Sequence, residues 1–148
     1  MMPRRTIVNE VPMFITTNVK KRRPFFARDG FAKEAIDHLY RVQLFHPFFI
    51  YGFVIMPDHC HFLLKVCAPE TICRIMDIYK GGLAHQIGIG PIWQPRYHLE
   101  FIYNLPGALN YIHMNPVKGG LCKKPEDYPW SSASGKWDVT SFDEFSWL

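Results

Sequence analysis

The sequence predicts an α+β fold: one antiparallel sheet, helices packed against it, and a further helix near the carboxy-terminal end. Three observations carry that expectation. Strand-like apolar runs alternate with stretches whose apolar residues recur every three or four positions. Two of the runs, 48–56 and 60–66, meet across Pro57-Asp58, the kind of tight connection that makes an antiparallel hairpin. Finally, 48% of the 148 residues are hydrophobic and 16% aromatic, well outside the disordered range. A chain of this length buries roughly 68–70% of its unfolded surface, enough for one core without disulfide staples.

The elements follow in order. Met13 to Val19 (MFITTNV) is rich in β-branched and aromatic residues and reads as a first strand. Lys20-Lys21-Arg22-Arg23-Pro24 ends it, because four cations and a proline cannot continue a packed strand. Between Phe31 and Leu44, the residues Phe31, Ala35, Ile36, Leu39, Val42 and Leu44 fall at helical spacing, after Asp29-Gly30 and before His46-Pro47. Phe48–Met56 and Cys60–Val66 form the central hairpin. In 70–87, Ile72, Ile75, Met76, Tyr79 and Leu83 mark a second helix, weakened by Gly81-Gly82 and stopped by Gly88-Ile89-Gly90-Pro91. Leu99–Tyr103 is a short fourth strand, and GALNYIHMN (107–115) a last helix, with Pro106 near its start and Pro116 beyond it. Strand, helix, strand, strand, helix, strand, helix is the order of a ferredoxin-like (RRM-like) sandwich with an added carboxy-terminal helix. The expectation is a single domain over 1–148, with its core at about 13–121 and an irregular, turn-rich tail over 122–148.

Charge and cysteine usage narrow the setting. The net charge of +4 is concentrated in Arg4-Arg5, Lys20–Arg23 and Lys123-Lys124, which suits nucleic acid or another anion and equally suits solvated loops. Cys60, Cys67, Cys73 and Cys122 form no CxxC pair, and no signal-peptide pattern or bilayer-length apolar run is visible. These features lead us to expect a reduced, cytoplasmic chain without membrane contact.

IMPDHCHFLL (55–64) raises the chemical question, since it sets His59 and His61 one residue apart in an apolar run. On a strand both point to one face, with Cα atoms about 6.5–7 Å apart, while Cys60 and Phe62 face the other way. Buried imidazoles need polar partners. Those are either neighbouring hydrogen-bonding groups or a metal ion, which two imidazoles at this spacing can share. A structural zinc site wants a second compact Cys/His pair, and there is none. Two histidines and one oxygen ligand instead suit an open site for a catalytic divalent ion.

The second informative stretch is YIHMNPVK (111–118). In a helix Tyr111 and Asn115 share a face, and Ile112 turns to the core. Tyr111 is either a core aromatic with its hydroxyl at the rim or a nucleophile that needs a nearby cation. The Asn115 carbonyl is an oxygen ligand for a hard metal, although Pro116 biases Asn115 out of the helical region.

Taken together, YGFVIMPDHCHFLLKV, IWQPRY and LNYIHMNPVKGGL resemble, in order and approximate spacing, the single-tyrosine transposases of the HUH nuclease superfamily. The likeness is closest to the branch called REP-associated tyrosine transposases, and it covers about residues 13–132. It implies that His59 and His61 bind Mg²⁺ or Mn²⁺, that Asn115 completes the metal site, and that Tyr111 is the nucleophile. The phenol would attack a phosphodiester of single-stranded or hairpin DNA, leaving a 5′-phosphotyrosine link and a free 3′-hydroxyl. Lys20, Lys21, Arg22, Arg23 and Arg96 are then candidate phosphate contacts, and Trp93 and Tyr97 candidate stacking platforms. One departure stands out: Glu100, in HLEFI, occupies a position where relatives often carry histidine. It would act as a base or an additional metal contact. A domesticated relative that binds hairpin DNA or RNA without cutting it is the alternative. Relatives include dimers that exchange the tyrosine helix and monomers that act alone, and both states stay open here. When bound to DNA the protein would be nucleoid-associated.

Overall fold

The computed structural model describes residues 11–141, so Arg4-Arg5 and the last seven residues of the tail lie outside the described residues. The elements are β1 (Met13–Val19), α1 (Asp29–Phe45), β2 (Phe48–Met56), β3 (His59–Val66), α2 (Ile72–Ile87), β4 (Trp93–Phe101) and α3 (Leu105–Lys118). All strand pairs are antiparallel and the sheet order is β2-β3-β1-β4, the ferredoxin-like arrangement expected from the element order. No helix among the described residues is long and apolar enough to cross a membrane.

Strand alternation divides the side chains between two layers. Met13, Ile15 and Val19 of β1 and Cys60, Phe62, Leu64 and Val66 of β3 pack into the larger core. There they meet Ala35, Ile36 and Leu39 of α1 and Ile75, Met76 and Leu83 of α2. Fully burying each large aliphatic or aromatic side chain contributes about 1.5–3 kcal/mol, so this layer holds the sheet and the two helices together. The two helices are also tied by the Tyr79 hydroxyl, which donates to the Ala35 carbonyl at 2.8 Å. Gly81-Gly82 does not break α2: a Cβ on Gly82 would stand 2.6 Å from His38 Nε2, so the missing side chain lets the helices approach.

On the opposite face, Leu105 and Ile112 of α3 pack against Phe14, Tyr51, Val54 and Leu63. One helix covers only part of that face. The remainder is open and carries the histidines.

Three elements depart from expectation. β4 spans Trp93–Phe101 rather than 99–103: it is an edge strand, where Pro95 is tolerated and polar residues face outward, and a register irregularity between Thr17 and Val19 absorbs residues 94–96. α3 continues through Pro116 to Lys118. The proline is buried in the last turn and the Asn115 carbonyl still accepts from Gly119 N at 2.9 Å, so Tyr111 and Asn115 keep one face. β3 already begins at His59, which places both histidines within the strand.

Residues 122–141 add no long element, yet they are bonded to β2. Tyr128 Oη donates to the Ile55 carbonyl at 2.7 Å, Ile55 N donates to Trp130 O at 2.8 Å, and Thr140 N to Ile50 O at 2.8 Å. The tail thereby covers an edge that would otherwise offer unpaired backbone groups. Gly52 makes room for the junction: a Cβ there would overlap Leu109 Cδ1 of α3 and lie 3.1 Å from Ser132 Oγ. Gly52→Ala is expected to destabilise the chain by about 1–3 kcal/mol. An unchanged urea midpoint would mean that Leu109 repacks without cost.

Candidate active site

The site grows from the pairing of β3 with β1. Asn18 lies opposite His59 and Thr16 opposite His61, so four polar side chains emerge on the open face. The two imidazoles are neighbours, with ring centroids 4.7 Å apart. His61 Nδ1 lies 2.9 Å from Thr16 Oγ1. His59 Nδ1 donates to Asp58 Oδ1 at 2.7 Å, and Asp58 Oδ2 accepts from Arg22 Nε at 3.1 Å. His61 is only 6% exposed. Burial, with smaller contributions from the charges of His59 and Arg22, lowers its pKa to about 3. At neutral pH the His61 ring is uncharged, the state in which an imidazole can act as a ligand.

From the other side, α3 brings the tyrosine. Asn104 caps the helix by accepting from Gly107 N at 3.1 Å, and buried Ile112 fixes its rotation. His113 Nε2, 2.7 Å from Ser132 Oγ, ties α3 to the tail and through it to Phe53 of β2. That rotation turns Tyr111 outward, half exposed, with its ring 5.9 Å from His61 and 5.7 Å from Phe14. Lys118 Nζ stands 5.9 Å from the centre of the Tyr111 ring. Thr16, Asn18, Arg22, His59, His61, His98, Tyr111 and Asn115 together line a groove of about 550 Å³. A neighbouring hollow of about 530 Å³ shares Thr16, His61, His98 and Tyr111 and adds Glu100 on its wall.

The structure therefore brings His59, His61, Tyr111 and Asn115 into one groove, with Glu100 beside it. Glu100 Oε1 lies 3.1 Å from His98 Nε2. The cations are dispersed. Arg22 reaches the groove, Arg23 Nη2 donates to Pro91 O at 2.9 Å, and Lys20 and Lys21 are exposed on the turn. Arg96, Trp93 and Tyr97 line a separate cleft of about 540 Å³ between α2 and β4. Trp93 and Tyr97 belong to the face opposite the histidines: Trp93 Nε1 donates to Lys80 O, and Tyr97 Oη to Cys73 Sγ at 3.4 Å. Sequence reasoning missed Thr16, Asn18 and the role of Asp58. The alternation in ITTN gave a signal for the first two, but only strand register shows that they face the histidines.

The donor set fits a hard divalent ion. Among the described residues no cluster of three His, Cys, Asp or Glu side chains is placed to hold a metal. The two imidazoles would thus be joined by a neutral oxygen such as the Asn115 amide, leaving positions open for substrate oxygens. Cys60 is fully buried on the other face, and burial pushes its thiol pKa well up, so it offers no thiolate here.

Buried histidines also set an acid limit on the metal-free chain. His61 is depressed to about 3, and burial lowers His38 and His113 as well. Below the unfolded pKa of about 6.5 the unfolded chain binds more protons than the folded one, so stability falls as pH falls towards the folded values. His61 alone is expected to remove about 2 kcal/mol by about pH 5. Urea midpoints with chelator, equal at neutral and mildly acidic pH, would contradict this.

Similarity to known proteins agrees with the geometry. The family described as "Transposase IS200 like" matches residues 8–114. The "REP-associated tyrosine transposase" of Escherichia coli (strain K12) is 30% identical over 135 residues, covering 87% of this chain and 80% of the relative. The structure of a REP-associated tyrosine transposase bound to a REP hairpin superposes with a TM-score of 0.75 at 27% identity, over 90% of each chain. A crystal structure from Deinococcus radiodurans R1 shares the fold at a TM-score of 0.56 and 16% identity, over 75% of this chain and 90% of that one. With the histidine pair and the tyrosine helix meeting over a ferredoxin-like sheet, this chain belongs to the IS200-like transposases, in the HUH superfamily of single-tyrosine enzymes, on the side of the REP-associated tyrosine transposases.

Proposed function

We propose that this protein is a metal-dependent endonuclease and strand transferase acting on single-stranded DNA at hairpins or palindromic repeats, with Tyr111 as nucleophile. The observation that carries the proposal is the meeting of Tyr111 with His59 and His61 in one groove of one chain. His59, His61 and Asn115 would hold Mg²⁺ or Mn²⁺. Such an ion, when bound, supplies a Lewis acid for the charge that develops on phosphate and leaving oxygen. The Tyr111 hydroxyl attacks phosphorus and loses its proton to solvent or to a base such as Glu100 or His98, which line the same hollow. The P–O3′ bond breaks and the departing oxygen takes up a proton. The product is a 5′-phosphotyrosine link with a free 3′-hydroxyl. The link conserves the phosphodiester energy, so the reverse attack by a 3′-hydroxyl rejoins strands without ATP. That the histidines and the tyrosine of one chain share a groove supports cleavage in cis. A cytoplasmic, DNA-associated protein fits this chemistry.

Incubating labelled hairpin-bearing single strands with the protein and Mn²⁺ or Mg²⁺ should give a covalent protein–DNA band that EDTA prevents. The preceding non-covalent binding should weaken with salt, with a log–log slope of about −0.7 per phosphate contact. Salt-independent binding without a covalent band would leave only an ordinary fold of this class.

A further inference from the structure

We infer that Asp58, clamped by Arg22, is a positioning residue that holds His59 in the one tautomer able to present Nε2 as a bare ligand to the groove. The inference rests on the proposed metal site and adds how that site is kept ready before an ion or DNA arrives.

A neutral imidazole carries its proton on one of two nitrogens, and the partner of one nitrogen decides the state of the other. Thr16 leaves that choice open at His61, since a hydroxyl both donates and accepts. A carboxylate only accepts, so the 2.7 Å contact between His59 Nδ1 and Asp58 Oδ1 fixes the proton on Nδ1. The second oxygen of Asp58 is occupied as well: Arg22 Nε lies at 3.1 Å and the other guanidinium nitrogen Nη2 at 3.0 Å. Both groups of this ion pair are partly exposed, and an exposed pair on its own contributes little to stability.

The backbone indicates that the clamp is built rather than incidental. Lys21 and Arg22 adopt φ of 58° and 52°, left-handed conformations that side chains other than glycine rarely take. Each is strained and persists only where the surroundings over-determine it. Here they do. Val19 N donates to the Asp58 carbonyl at 2.9 Å, Lys20 N to Ile92 O at 2.7 Å, and Arg23 Nη2 to Pro91 O at 2.9 Å. The first of these bonds fastens the turn to the same residue whose side chain Arg22 grips. What the sequence presents as a run of four solvated cations is a strained turn that aims Arg22 at Asp58.

The test uses the full chain labelled with nitrogen-15 at histidine, free of metal, at a fixed mildly alkaline pH. Long-range proton–nitrogen NMR should show His59 wholly in the Nδ1–H form. Asp58→Ala and Arg22→Ala should give a mixture of tautomers, and so should Asp58→Asn, because its amide both donates and accepts and Arg22 competes for its single oxygen. Mn²⁺ titration followed by electron paramagnetic resonance should show affinity falling about 10–100-fold in Asp58→Ala. An unchanged His59 tautomer in both alanine variants overturns the inference, and so does unchanged Mn²⁺ affinity. If Asp58→Ala fails to fold, Arg22→Ala and Asp58→Asn, each set against the wild-type chain, make the same comparison. Failure of the metal site itself reads differently: the wild-type chain and His59→Ala would then take up Mn²⁺ equally poorly, while the tautomer of His59 still responds to Asp58.

Discussion

Tyr111→Phe is expected to leave a folded chain that binds hairpin-bearing strands but forms no covalent link to them. The substitution removes one oxygen from a half-exposed ring, and the ring keeps its contacts with Phe14 and His61. Stability should therefore change little, whereas loss of a nucleophile costs on the order of 10⁴-fold or more in rate. Quantified adduct formation beside a gel-shift affinity separates the two effects. A variant that still forms adduct would move the nucleophile elsewhere, and Tyr103, 83% exposed in the segment leading into α3, is the first place to look.

His61→Ala should be the most damaging single change at the site, because it removes a proposed ligand and a packing element together. His61 is buried against Phe14 and Tyr111, so truncation leaves a cavity costing about 1–3 kcal/mol. Adduct formation should fall by more than about 10²-fold, since even groups that only support a ligand account for 10–100-fold. His59→Ala should match that loss of activity with little loss of stability, its ring being less enclosed. Its main partner is the partly exposed Asp58. Equal melting temperatures for the two variants, or full activity in either, would go against these assignments.

The sheet was legible because its central hairpin is apolar on both faces, and continuous runs such as FFIYGFVIM admit few other readings. β4 was legible only in its second half: Tyr97, Leu99 and Phe101 alternate with His98 and Glu100, whereas Pro95 between Gln94 and Arg96 masked its start. The histidine pair and Tyr111 were legible through motif and spacing. Their helpers were not: Thr16 meets His61 across 45 residues of sequence, and Arg22 meets Asp58 across 36. Pairings at that range are set by strand register and by a strained turn, neither of which leaves a local pattern. The same gap explains the aromatics. Trp93 and Tyr97 read as stacking platforms, but the register of β4 puts them on the helix side of the sheet, opposite the histidines.

The central claim is that Tyr111 makes the covalent bond. Adduct formed on a hairpin-bearing strand with Mn²⁺ can be digested with protease and nuclease and its cross-linked peptide sequenced by mass spectrometry. A nucleotide joined through its 5′-phosphate to Tyr111, in the peptide containing YIHMNPVK, is the expected result. A nucleotide on any other residue, or attachment through a 3′-phosphate, would contradict it.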